Sequence, residues 1–115
     1  MNIESVLSHD LLVDIYVEAW NTLNSDLLEP VLDDNFRYGS MWVLSDLVGK
    51  QAYLDYIKGK FEAIKSSHSI VKAQKGISPQ TGLARVELLQ DGHRGAKIDV
   101  KSDNGVMTSA YMHDF

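Results

Sequence analysis

Helical spacing of apolar residues dominates the front half of the chain, and strand-like alternation dominates the back half. Apolar side chains at i, i+3, i+4 and i+7 share one face of a helix, whereas every second residue shares one face of a strand. Leu12, Ile15, Tyr16, Ala19, Trp20 and Leu23 make one helical stripe, which predicts a helix from His9 to Leu23. Ser8 stands before it as an N-cap whose hydroxyl can accept an orphan N–H of the first turn. In "NSDLLEPVLDD", Asn24 or Ser25 can cap a second helix carrying Leu27, Leu28, Val31 and Leu32. Pro30 has no N–H to donate, so this helix must be short or irregular. The next stretch, "NFRYGSMWVLSDLVGK" (35–50), opens as a strand with Phe36, Tyr38, Ser40 and Trp42 on one face. "GKQAYLDYIKGKFEAIKSS" then predicts a long helix with the stripe Tyr53, Leu54, Ile57, Phe61 and Ile64. Gly59 weakens that helix by roughly 1 kcal/mol relative to Ala, which points to close packing or a bend there.

The back half predicts a meander of four strands, at about 68–77, 83–90, 94–101 and 106–114, with turns at "SPQTG", "DG" and "SDNG". Ala84, Val86 and Leu88 alternate with Arg85, Glu87 and Leu89; Ala96, Ile98 and Val100 alternate with Lys97, Asp99 and Lys101. Pairing the two apolar sets requires an odd loop around Asp91-Gly92, because a one-residue slip turns one set to the wrong face. One odd register sets Glu87 opposite Lys97 and Arg85 opposite Asp99; the other puts Gly92 at a left-handed loop position. Charge favours the first. In the last hairpin one register turns Ser109, Tyr111 and His113 inward beside Ile98, and the adjacent register turns Thr108, Ala110 and Met112 inward; "NG" at 104–105 favours a two-residue turn and with it the first. The order of elements, helices and then strands, argues for an α+β fold.

Composition narrows the functional classes. At 115 residues the chain is one domain with one hydrophobic core. The net charge of −5 and the scatter of the eleven Lys and Arg residues leave no basic stripe, which argues against nucleic acid as a partner. Lys58, Lys60 and Lys65 read as a solvated helix face among Glu62 and Asp55. There is no cysteine and hence no disulfide or thiolate chemistry. The N-terminal residues lack the basic start and apolar run of a signal peptide, and no stretch nears the roughly 18 apolar residues of a membrane span. The expectation is a cytoplasmic protein. His9, His68, His93 and His113 are spread without ligand spacing, so neither a metal nor another cofactor is expected.

Two segments carry a family resemblance. "YVEAWNTLNSDLLEPVLDDNFRY" (16–38) and "LVGKQAYLDYI" (47–57) resemble the opening helices and the glycine-led long helix of the nuclear transport factor 2-like superfamily, which includes ketosteroid isomerase-like and SnoaL-like proteins. The resemblance in element order covers nearly the whole chain. It implies a curved, mostly antiparallel sheet wrapped around the long helix as a cone with an apolar pocket. It also implies a homodimer. Isomerase chemistry in such a pocket takes a carboxylate base plus Tyr and protonated Asp donors. Tyr16 and Asp99 resemble the two donors by position, but the base position falls on Ser40, whose unassisted hydroxyl is no base. Alternation moreover places Asp99 on the polar outer face as a sheet-surface ion pair near Arg85.

The candidate pocket comprises Tyr16, Trp20, Phe36, Tyr38, Ser40, Trp42, Tyr53, Ile57, Ile98 and Tyr111. The candidate catalytic residues are Tyr16, His113 and Asp46, with His113 able to pair with Asp46 or Tyr38 if it faces inward. Each has a plainer role: Tyr16 as a core phenol, Asp46 as a loop cap, His113 as a half-exposed terminal residue. The leading expectation is a domain that binds a small apolar or aromatic ligand and lacks a complete catalytic set. An isomerase-like enzyme with relocated acid–base groups, and a dimerisation or accessory domain with a filled core, are the alternatives.

Overall fold

The structure is a computed structural model that describes residues 7–42 and 45–114. Helix α1 (His9–Thr22) is capped by Ser8, whose hydroxyl accepts the Leu11 N–H, and it buries Leu12, Val13, Tyr16, Ala19 and Trp20. A 3₁₀ helix spans Ser25–Val31 with Asn24 as its cap. Pro30 lies inside it, which accounts for the tighter, shorter form. Strand β1 is Leu32–Ser40, and the two-residue strand β2 is Leu47–Val48. Helix α2 (Lys50–Ser66) starts at Gly49, whose φ of 104° suits glycine and whose N–H is held by the Phe36 carbonyl at 2.7 Å. Strands β3 (Val71–Ile77), β4 (Ala84–Gln90), β5 (His93–Asp103) and β6 (Val106–His113) complete the chain.

The six strands form one curved, unclosed sheet in the order β2-β1-β6-β5-β4-β3. All neighbours are antiparallel except β1 and β6, which run parallel. The helices cover one face, and the fold is α+β as the order of elements predicts. Asn21 of α1 binds both backbone groups of Ala73 through its side-chain amide, at 2.9 and 2.7 Å. It thus occupies the free edge of β3 as a further strand would. His9 ties the first turn of α1 to the sheet, its Nε2 donating to the Ala84 carbonyl and its Nδ1 meeting Ser102 Oγ, both at 2.9 Å.

The last two β-hairpins use the same device. Asp91-Gly92 and Asn104-Gly105 are two-residue turns with both residues at positive φ, the form that matches strand twist. Each turn leads into one extra residue: Gly95 in β5 and Thr108 in β6 fall outside the pairing, so the register shifts there. This corrects two expectations. The β4–β5 loop is not odd; the bulge at Gly95 supplies the odd residue, so Glu87 faces Lys97 and Gly92 is left-handed at once. In the last hairpin the turn is the expected one, but the bulge at Thr108 exchanges the two faces of the rest of β6. Met112, not Tyr111, lies opposite Ile98, and Ala110 and Met112 are buried. Tyr111 and His113 therefore face outward. The reason is apolar burial: Ala110 and Met112 have nothing to lose on desolvation, whereas the phenol and imidazole keep access to water.

Candidate functional site

The interior splits along α2. Beside its first half, Tyr53 packs on Phe36 and Tyr38 with ring centroids 4.9 and 5.0 Å apart, and Tyr56 sits 5.4 Å from Tyr38. The hydroxyls of Tyr16 and Tyr53 hydrogen-bond each other, and the Tyr38 hydroxyl donates to the Met112 sulfur at 3.9 Å. Tyr16, Phe36, Tyr53, Ile57 and Ile98 are all shut off from solvent. Burial pushes the phenols of Tyr16, Tyr38 and Tyr53 well above the usual tyrosine range. These hydroxyls stay protonated, and Tyr16 and Tyr53 engage each other.

Beside the second half of α2 lies a cavity of about 480 Å³. Trp20, Ile64, Val71, Leu88, Ala96 and Met112 form its apolar wall. Lys60, Ser67, Ser69 and Gln90 contribute polar groups, and Trp42 stands beside them. Trp42 lies in a turn just past the end of β1 and is 55% exposed. Its N–H is held by Ser40 Oγ at 3.1 Å, and the preceding Met41 N–H donates to the Met112 carbonyl at 3.1 Å. Trp20 packs edge-to-face on Phe61, and its buried Nε1 has no hydrogen-bond partner among the described residues. No aspartate, glutamate or histidine lines the cavity among the described residues.

Of the ten expected pocket residues, Trp20 and Trp42 line this cavity. Tyr16, Phe36, Tyr38, Tyr53, Ile57 and Ile98 come together in the packed interior, and Ser40 closes β1 beside them. Tyr111, 45% exposed, covers Gly39 on the outer face, where a Cβ on Gly39 would lie 2.9 Å from its ring. The three candidate catalytic residues do not meet. Tyr16 is in the core, Asp46 forms a 3.5 Å ion pair with the exposed Arg37, and His113 Nε2 lies 2.7 Å from Asp99 Oδ2 outside the sheet. Asp99 thus lies on the outer face with His113 as its hydrogen-bond partner, and Arg85 pairs with Glu87 on its own strand at 3.2 Å. Sequence reasoning missed Lys60, Val71, Leu88, Ala96 and Met112 as lining residues. A cluster of small residues, Ala63, Gly95 and Ala96, is the signal that could have found this space. Among the described residues no three potential metal ligands cluster, and no helix is long and apolar enough to cross a membrane.

No protein-family model matches the chain, and no curated protein sequence matches it. Solved structures do. A SnoaL-like protein of unknown function from Burkholderia thailandensis superposes with a TM-score of 0.71 at 16% identity, covering 93% of this chain and 94% of that one. A nuclear transport factor 2-like protein of unknown function from Cytophaga hutchinsonii gives 0.66 at 15% identity, over 95% of this chain and 91% of that one. The chain has the nuclear transport factor 2-like fold. An LEH-like epoxide hydrolase from M. tuberculosis shares it, with a TM-score of 0.60 at 14% identity over 93% of this chain and 78% of that one. At these identities the likeness concerns the fold, and function must be argued from the site. In this nuclear transport factor 2-like fold Tyr16 and Asp99 lie on opposite sides of the sheet, and Ser40 Oγ is engaged by the Trp42 N–H.

Proposed function

We propose that the protein binds a small apolar or aromatic molecule between the second half of α2 and strands β3 to β6. One observation carries this reading: a concavity of about 480 Å³ with a largely apolar wall, within the usual range for small-molecule sites. Binding rather than turnover is favoured because no acid–base pair faces that space among the described residues. The LEH-like epoxide hydrolase supports only the general idea that this fold accommodates organic molecules. Thermal denaturation with a panel of aromatic and polycyclic compounds tests the proposal. A ligand at 100 times its Kd adds about 2.7 kcal/mol to stability. Ala63→Trp, at the exposed rim, is expected to abolish that gain while leaving the free protein as stable as before. Silence across the panel, or an undiminished gain in the variant, would refute binding at this site.

A further inference from the structure

The cavity has a charge asymmetry that the protein as a whole does not share. The chain carries a net −5, yet Lys60 is the one charged side chain lining the cavity among the described residues. Its neighbours one turn away on α2 are Tyr56, Ile57, Ala63 and Ile64, all uncharged at neutral pH. The nearby carboxylates of the helix are directed elsewhere: Glu62 pairs with Lys65 at 3.5 Å, and Asp55 accepts from Gln51 at 2.9 Å. No carboxylate among the described residues lies within ion-pair distance of Lys60. Lys60 thus borders a largely apolar space that lowers the local dielectric and strengthens any charge pair its ammonium group forms there.

Resting on the binding function proposed above, we infer that the ligand is an aromatic monocarboxylate. Its ring lies against Trp20, Leu88 and Met112, and its carboxylate meets Lys60. A dianion would find one cation for two charges, and a cation would be repelled. A neutral ring would fill the space but leave Lys60 unused.

Calorimetric titration with a matched pair, 2-naphthoate and 2-naphthamide, separates these cases. Their rings are the same and only the charge differs. The wild-type protein is expected to bind the carboxylate about tenfold more tightly than the amide at low salt, the ratio a charge-assisted hydrogen bond supplies. That preference should shrink at higher ionic strength. In Lys60→Met, which keeps the apolar stem, the two affinities should converge on that of the amide. Amide binding in the variant doubles as proof that the cavity is intact. Equal affinities in the wild type, or a carboxylate preference that survives in Lys60→Met, overturns the inference while the cavity stays a binding site. Failure of both compounds to bind the wild type overturns this inference together with the binding function.

Discussion

Phe36, Tyr38 and Tyr53 along the first half of α2, and Trp20, Trp42 and Met112 along the second, are all large side chains, yet it is the second set that lines the cavity. The difference lies in what stands opposite. In the first half, ring meets ring at about 5 Å and hydroxyl meets hydroxyl, so volume and hydrogen bonding are both satisfied. In the second half the facing positions include Ala63, Gly95 and Ala96, which are too small to fill the gap opposite Trp20. A run of aromatic residues on one strand face therefore does not by itself make a pocket. A pocket needs large residues and small ones set against each other, and around the far end of α2 that happens.

The filled half should break first at alkaline pH, and most severely. Tyr16, Tyr38 and Tyr53 hold their protons because burial disfavours the phenolate. In the unfolded chain the same phenols ionise near pH 10. Their contribution to stability is thus complete below that pH and falls as pH rises, by about 1.4 kcal/mol per pH unit for each group. Three such groups give a slope of roughly 4 kcal/mol per unit, enough to unfold a domain of ordinary stability within about two units. Phenolate absorbance from these residues should appear together with the loss of near-ultraviolet circular dichroism. Ionisation of all three in a protein that keeps its tertiary signal would mean that water reaches the first half as it does the second.

A pair of truncations makes the same contrast at single residues. Tyr53→Ala removes contacts with Phe36 and Tyr38 and strands the hydroxyl of Tyr16, so it should cost about 3–5 kcal/mol in urea unfolding. Trp42→Ala, at a half-exposed position beside the cavity, should change stability by less than about 0.5 kcal/mol. If the two variants lose similar stability, the two halves do not differ in packing.

This contrast is only half legible in the sequence. Both helices, their caps and the four back strands come from periodicity, and they match to within a few residues because Ser8, Asn24, Gly49 and the Asn/Asp-Gly turns act locally. The convergence of Tyr16, Phe36, Tyr38 and Tyr53 comes from their stripes. Beyond that, the bulges decide. The alternation on either side of Asp91-Gly92 calls for one odd residue, but it points to the loop and not to Gly95, where the residue is found. Thr108 has no such signal, because both faces of β6 read as amphipathic: Ala110 and Met112 on one, Tyr111 and His113 on the other. With that strand turned over, Met112 rather than Tyr111 faces the interior, and the wall of the cavity changes with it. Strand β2 is too short to carry a period at all. Trp42 keeps the phase of Phe36 and Tyr38 in the sequence, but β1 ends at Ser40 and the phase ends there too.

The smallest effect concerns the boundary between the two halves. Gly59 lies on α2 between Tyr53 and Ile57 on the filled side and Ala63 and Ile64 on the hollow side. A glycine in mid-helix points to close packing or a bend, but this one is exposed and a Cβ there would meet nothing within 4 Å. With no contact to disturb, Gly59→Ala should stabilise the protein by about 0.5–1 kcal/mol through the lower entropy of the unfolded chain. The midpoint of thermal unfolding should rise by a few degrees. The effect of the substitution on ligand affinity then sharpens the comparison. If the hollow half is preformed, the variant binds the same ligand with the same Kd, because Gly59 does not itself line the cavity and a Cβ there would meet nothing within 4 Å. If instead α2 must bend at Gly59 to admit a ligand, the stiffer helix will bind more weakly even as it unfolds at a higher temperature. The pairing of a raised melting temperature with an unchanged Kd is the expected result, and it would place the cavity in the resting fold rather than in a minor open state.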